Sequence, residues 1–284
     1  MKTGGCHGEE RGHLKLSGFS AWSIGKGEYK EMIFYFSATG NSKHVAMSLA
    51  KEDERVILIT DCISEKNFSF DVSKEECVGI ISPTYNWTMP NLVSGFLRHL
   101  ELKYDKKPYI YYVGTFGTTT GAAAVMANKL LEQKGISFDA FYDVKMPDTW
   151  TPIFDLSDKN KVAKINENAA VQIRSIKKHI DNRFKGKYMH ITTPYVTGLI
   201  GKKIYDNYSR KTANLSVNDD CIGCGLCAVK CPAHAIEIRD KKPVWVKERC
   251  TMCLGCLHRC PKFAIECGKN THKHGQYLNP YEKI

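Results

Sequence analysis

The sequence predicts an α/β chain: a doubly wound, five-stranded parallel sheet followed by a small α+β domain organised around thiols. Two observations carry this. Between residues 31 and 146, five apolar runs alternate with helical patterns, as βαβ units do. Beyond them, eight of the twelve cysteines fall between residues 221 and 260. A length of 284 residues suits two unequal domains. The expected division is a first domain at 31–185, a linker at 186–215, a cysteine-rich domain at 216–268 and a tail at 269–284.

The apolar runs are 32–37, 55–60, 77–82, 108–115 and a weaker one at 136–146. Several are β-branched without strict polar alternation, as expected of strands covered on both faces. Helical patterns lie between them at 42–51, 91–100 and 119–134, the last followed by Gly135 at the position where helices end on a glycine. From 158 to 183, Val162, Ile165, Ala169, Ile173, Ile176 and Ile180 recur at three- and four-residue steps, with Lys161, Lys164, Lys177 and Lys178 between them. This is an amphipathic helix closing the α/β domain. A short helix is expected at 197–208. Residues 1–30 show no core pattern and are read as a disordered extension, with Met32, which opens the first strong element, favoured as the natural start.

Composition excludes several classes. With 43% hydrophobic and 25% charged residues the chain is globular rather than disordered. No apolar run reaches the roughly 18 residues of a transmembrane helix, and no secretory leader is visible. Clustered rather than dispersed cysteines point to metal in a reducing cytoplasm. The net charge of +11 is concentrated at 159–211, which holds thirteen Lys/Arg and three Asp/Glu. It is read as a solvated helix face or as a docking face for an acidic partner. No nucleic-acid module accompanies it, so nucleic acid is not an expected partner.

The strongest signal is Cys221-x2-Cys224-x2-Cys227-x3-Cys231-Pro232, repeated 29 residues later as Cys250-x2-Cys253-x2-Cys256-x3-Cys260-Pro261. This is the spacing of bacterial two-cluster ferredoxins. One tight loop supplies three corners of a [4Fe–4S] cubane, and the fourth cysteine of each run is carried past its own loop to the other cluster. Two [4Fe–4S] clusters are expected. Structural zinc would need only a tetrahedral set and does not explain two full runs with trailing prolines. Gly223, Gly225 and Gly255 leave room beside the inorganic sulfurs. Cys6, Cys62, Cys77 and Cys267 fall outside the pattern.

At the other end, the first strand runs into Ser37-Ala38-Thr39-Gly40-Asn41-Ser42 and then a helix. Such a turn aims backbone N–H groups at a phosphate, with Ser37, Thr39 and Ser42 adding hydroxyls. It is neither a Walker A loop nor GxGxxG. The loops after the third and fourth strands, 83–90 with Thr84, Tyr85, Asn86 and Trp87, and 115–121 with Thr115, Phe116, Gly117 and Gly121, fall on the same sheet edge. They offer aromatics for stacking and backbone groups for a heterocycle's rim. FMN is the expected ligand; FAD is not, because no second nucleotide unit is visible. Asp148 is a candidate for the flavin edge, and His44 reads as a surface residue. The 84–89 loop contains no glycine, so any positive φ there costs about 1–2 kcal/mol.

With both ends read, the chain resembles the flavodoxin–ferredoxin fusions known as EFR-family ferrodoxins over about 32–267. The resemblance rests on FYFSATGNS at 34–42, PTYNWTMP at 83–90, TFGTTTG at 115–121, MPDTW at 146–150 and the paired cysteine runs. It implies a flavodoxin-like domain, FMN, two [4Fe–4S] clusters and electron transfer in an anaerobic cytoplasm, without a known substrate. FMN exchanges electron pairs and each cluster passes single electrons, so the expected function is an oxidoreductase or electron carrier with a redox partner protein, such as an acidic ferredoxin or flavodoxin. The other reading is a redox-sensing or scaffold protein.

Overall fold

A computed structural model describes residues 31–52, 54–190 and 192–284. The expectations for residues 1–30 lie outside the described residues. Strands β1 (Glu31–Tyr35), β2 (Arg55–Leu58), β3 (Ser69–Asp71), β4 (Cys77–Pro83), β5 (Glu101–Lys103), β6 (Tyr109–Phe116), β7 (Ala140–Lys145) and β8 (Gly186–Tyr188) belong to the α/β part. Six of them form one sheet in the order β2-β1-β4-β6-β7-β8, every pairing parallel. The first five of these have the 2-1-3-4-5 order of flavodoxin-type sheets. The sixth, β8, is an addition to the five expected: three residues with no apolar run, docked on β7. β3 and β5 form a separate two-stranded parallel pair.

Both faces of the sheet are covered, which explains the missing polar alternation. Met32, Phe34 and Phe36 point into one core, with Ile80, Val93, Phe96 and Leu131. Ile33 and Tyr35 point into the other, with Val45, Ile81, Ile173 and Ile176. Helices α1 (Asn41–Leu49), α2 (Ile59–Ser64), α3 (Asn91–His99), α4 (Ala123–Glu132) and α5 (Lys159–Asp181) supply these layers. The strand expected at 55–60 stops at Leu58, because Ile59 and Cys62, one helical turn apart, are both buried in α2. α4 begins later than expected, since the preceding loop to Gly121 is spent on the site. Asp158 caps α5 by accepting from the Lys161 N–H at 3.0 Å. Its buried face carries Asn166 in place of the expected Ile165, which is only half-buried. The Asn166 Oδ1 accepts a hydrogen bond from Tyr277 at 3.1 Å.

The segment expected as a linker folds back onto the α/β part. α6 (Tyr195–Ile204) runs into a wide helical turn at Tyr205–Ser209. The cysteine-rich part follows with β9 (Leu215–Val217), α7 (Leu226–Val229), β10 (Ile236–Arg239), β11 (Lys242–Trp245), α8 (Gly255–His258), β12 (Ile265–Cys267) and α9 (Thr271–His274). β9 pairs with β12 and β10 with β11, both antiparallel. Among the described residues, no helix is long and apolar enough to cross a membrane.

Candidate functional site

The switch point of the sheet lies between β1 and β4, where loops diverge and leave a crevice at the strand ends. Here that crevice is a cleft of about 410 Å³, within the usual range for a small-molecule site. Ser37, Thr39, Asn41 and Ser42 form its phosphate-loop end, Thr84–Trp87 one wall and Thr115–Gly117 its floor. Gly40 and Gly121 do not line it. A Cβ at Gly40 would meet Asn279 and Ile284, and one at Gly121 would lie 2.3 Å from the Trp87 carbonyl oxygen. These two glycines shape the site from behind.

The hydroxyls expected to reach a phosphate have other partners as well. Ser37 Oγ accepts from the Gly40 N–H at 3.1 Å, and Ser42 Oγ shares a 2.8 Å hydrogen bond with Thr115 Oγ1. The Asn41 side chain is engaged by protein groups: its Nδ2 donates to the Pro147 carbonyl and its Oδ1 accepts from Tyr277 and Asn279.

The 84–88 loop is a two-residue hairpin. Tyr85 and Thr88 exchange backbone hydrogen bonds of 2.7 and 2.9 Å, with Asn86 at φ 48° and Trp87 at φ 61° between them. Such turns favour Asn-Gly, and the bulky Trp87 in the left-handed region is strained. Two close approaches hold it. The Trp87 carbonyl accepts from the Ala122 N–H at 2.8 Å, beneath the bare Cα of Gly121. On the other side α6 presses Gly201 against the Asn86 carbonyl, where a Cβ would stand 2.1 Å away.

Asp148 lies in the cleft with its carboxylate over Gly117. It accepts from the Trp150 N–H at 3.1 Å and from Thr118 Oγ1 at 3.3 Å. Burial still holds its pKa above the usual carboxylate range. Met146, Pro147, Thr149 and Trp150 line the same edge; their sequence signal was the MPDTW motif. Thr84 Oγ1 is buried on the cleft wall without a hydrogen-bond partner. An orphaned hydroxyl among Tyr85, Trp87, Phe116 and Trp150 fits a flat ring with a polar rim, as a flavin has.

The far wall had no signal in the sequence beyond the cysteines themselves. It is made of Met252, Cys253 and Leu254 from the second cysteine run, with Tyr205. Tyr205 is buried; its hydroxyl donates to the Thr251 carbonyl at 2.5 Å and lies 3.2 Å from Asn91 Oδ1, bridging both parts of the chain. His258 makes a second bridge. Its Nε2 donates to the Thr149 carbonyl at 2.9 Å and its Nδ1 accepts from the Tyr277 N–H at 3.2 Å. Burial pushes its pKa down to about 4, so it is a neutral strut.

The eight run cysteines divide between two cavities. Cys221, Cys224, Cys227 and Cys260 line one; Cys231, Cys250, Cys253 and Cys256 line the other. Among the described residues, no three His, Cys, Asp or Glu converge where a single metal ion could sit. Zinc requires all its donors within about 2.3 Å of one point, whereas a cubane spreads its thiolates over separate iron corners. The donor set fits clusters. Cys62, Cys77 and Cys267 are buried in the hydrophobic cores.

Two family models match the chain: one described as a flavodoxin domain, over residues 32–173, and one described as a 4Fe-4S dicluster domain, over residues 220–265. No curated protein matches. Among solved structures, the rubredoxin oxygen:oxidoreductase of Desulfovibrio gigas is 21% identical, with 51% of this chain and 36% of that one covered and a TM-score of 0.31. An azoreductase of Bacillus anthracis is 11% identical, with 55% and 100% covered and a TM-score of 0.34. A flavone reductase is 10% identical, with 76% and 80% covered and a TM-score of 0.32. This chain thus spans about a third of the Desulfovibrio enzyme's length, and likenesses this loose say nothing of activity.

Proposed function

The chain belongs to the flavodoxin domain family and continues into a 4Fe-4S dicluster domain, and from that premise we propose that it binds FMN in the cleft and one [4Fe–4S] cluster in each thiol-lined cavity, as an oxidoreductase or electron carrier. One observation carries the reading. Cys253 lines both the cleft and the second cavity, so the flavin site and one cluster site share a wall. Electrons then have a short route from the cleft to the inner cavity and on to the outer one, where Cys224 is exposed.

When bound, FMN supplies two-electron chemistry and the clusters supply one-electron steps. The chain's residues do the rest. Backbone N–H groups at the start of α1, with Ser37, Thr39 and Ser42, would hold the phosphate. Tyr85, Trp87 and Phe116 would sandwich the ring and exclude water, and Thr84 Oγ1 would gain its missing partner. Asp148, whose carboxyl burial raises above the usual carboxylate range, would face the flavin edge. Cys221, Cys224, Cys227 and Cys260 would ligate the outer cluster, and Cys231, Cys250, Cys253 and Cys256 the inner one. Electron-transfer domains imply a redox partner. The exposed lysines of α5 suit an acidic one, such as a ferredoxin or flavodoxin.

The test is anaerobic purification with cofactor counting and reductive titration. The expected content is about one FMN, eight iron and eight sulfide per chain, with uptake of about four electrons. Protein with full iron that cannot take up FMN would overturn the flavin assignment. Zinc without sulfide would overturn the clusters.

A further inference from the structure

Arg259 directly follows α8, and its side chain packs back into the loop that separates the cleft from the inner cavity. A Cβ at Gly255 would stand 2.5 Å from Arg259 Nη1. The glycine therefore opens the slot that the guanidinium fills. Nε is buried and has no hydrogen-bond partner. The acidic groups it faces are the thiols of Cys253, Cys256 and Cys231 and the Tyr85 phenol, with no carboxylate among them. A guanidinium does not deprotonate in a protein, and this one is partly withdrawn from water with its buried Nε unpartnered. This position calls for negative charge.

We propose that Arg259 is the fixed charge partner of the cluster held by Cys231, Cys250, Cys253 and Cys256, and that it raises that cluster's potential above the outer cluster's. The proposal rests on the ligand assignment given above. A thiolate-ligated cluster is anionic, and reduction adds one electron and so one more negative charge. A cation packed behind the ligating loop, in a poorly solvated position, favours the more negative form. Among the described residues, the charged side chain lining the outer cavity is Lys262, which is exposed, so water and salt screen it. The asymmetry makes the inner cluster the resting place for a single electron leaving the flavin. The pair then splits, one electron waiting beside the cleft while the other moves outward.

The experiment is a redox titration of the electron paramagnetic resonance signals of the anaerobic holoprotein, with iron, sulfide and flavin counted in each sample. In Arg259→Gln, one midpoint potential should fall and the other stay. The shifted signal should be the one that Cys253→Ser abolishes. Lys262→Gln should move neither. Two clusters with unchanged potentials in Arg259→Gln, equal shifts of both, or a shift confined to the Cys224-dependent signal would overturn the proposal while leaving the cofactor reading intact. A wild-type chain without two clusters would overturn both. Should Arg259→Gln fail to fold, Arg259→Lys carries the test. Both clusters retained, with the Cys253-dependent potential near wild type, supports a role for the charge; loss of the clusters in that variant too overturns it.

Discussion

Leu254 takes, at φ 55°, the left-handed backbone conformation that Gly225 takes at φ 77° 29 residues earlier. Met252 and Gly223 are matched in the same way, at 50° and 68°. The two cysteine loops therefore share one backbone, and the second keeps it against the Cβ penalty of about 1–2 kcal/mol per residue. The compensation is burial: Met252 and Leu254 wall the cleft at the sheet edge. Leu254→Gly and Leu254→Ala remove the same packing, but only the glycine variant relieves the backbone. Leu254→Gly should be the more stable of the two by about 1 kcal/mol. Chemical denaturation of both measures this, and an alanine variant equal to or more stable than the glycine one would show that the backbone is unstrained.

Gly121→Ala tests the support of the aromatic wall. Gly121 sits at φ 55° with Trp87 backbone atoms against its Cα, so a methyl there must push the 84–88 hairpin out. The expected result is FMN affinity weakened at least tenfold, with iron and sulfide unchanged. Fluorescence on FMN release checks it. Wild-type affinity would mean that the hairpin does not hold the ring.

The last residues should matter to flavin rather than to iron. The Asn279 N–H donates to the Thr39 carbonyl at 2.8 Å, and Tyr277 and Asn279 both hold Asn41. Tyr277→Phe removes the one hydroxyl proton shared by the Asn41 and Asn166 oxygens; Asn41 keeps Asn279, and the buried Asn166 oxygen loses that donor, which costs about 1–3 kcal/mol. FMN dissociation should accelerate while cluster content stays constant. Unchanged FMN release would make the tail a structural ornament.

Cys260→Ser tests ligand crossover. Cys260 belongs to the second run yet lines the cavity of Cys221, Cys224 and Cys227. A serine oxygen is a harder, poorer ligand for iron. Its paramagnetic signature should therefore match that of Cys224→Ser and differ from that of Cys253→Ser. The opposite match would mean that each run keeps its own cluster.

Glu31 gives the α/β part a pH dependence. Burial, opposed by a hydrogen bond from Tyr111, pushes its carboxyl up to about 7, from 4.5 in the open chain. Between these values the native state holds a proton that the unfolded state has lost. Its contribution is full below 4.5 and is lost as pH rises towards 7, by at most about 1.4 kcal/mol per unit. Glu31→Gln should flatten stability across that window and raise it near pH 8. Parallel curves for the two proteins would refute the assignment.

The sheet was legible because both its faces are buried. Met32, Phe34 and Phe36 alternate with Ile33 and Tyr35 between two cores, leaving a continuous apolar run that periodicity can find. The cysteine runs and the phosphate turn were legible because their chemistry requires fixed spacing. What stayed hidden depends on distant partners. Asn166 is polar in a helix whose apolar repeat favours Ile165, and only Tyr277, 111 residues on, explains its burial. Gly198 and Gly201 fall inside the expected 197–208 helix, but their purpose shows only when Ala122 and Asn86 are seen against them. The tail at 269–284 has no period at all; its order comes from Asn41, Thr151 and the α8 carbonyls.

That tail also sets a sequence of events during synthesis. The phosphate turn leaves the ribosome early, but the contacts from Tyr277 and Asn279 exist only after the whole cysteine-rich part has been translated. At about 5–20 residues per second, roughly ten seconds or more separate the two. The inner cluster would draw on Cys250, Cys253 and Cys256 and the outer one on Cys260, and Cys260 precedes Tyr277 by only 17 residues. Neither cluster gains a head start on the strap: the phosphate turn waits through most of synthesis, and cluster assembly and tight flavin retention become possible together, as the tail is made.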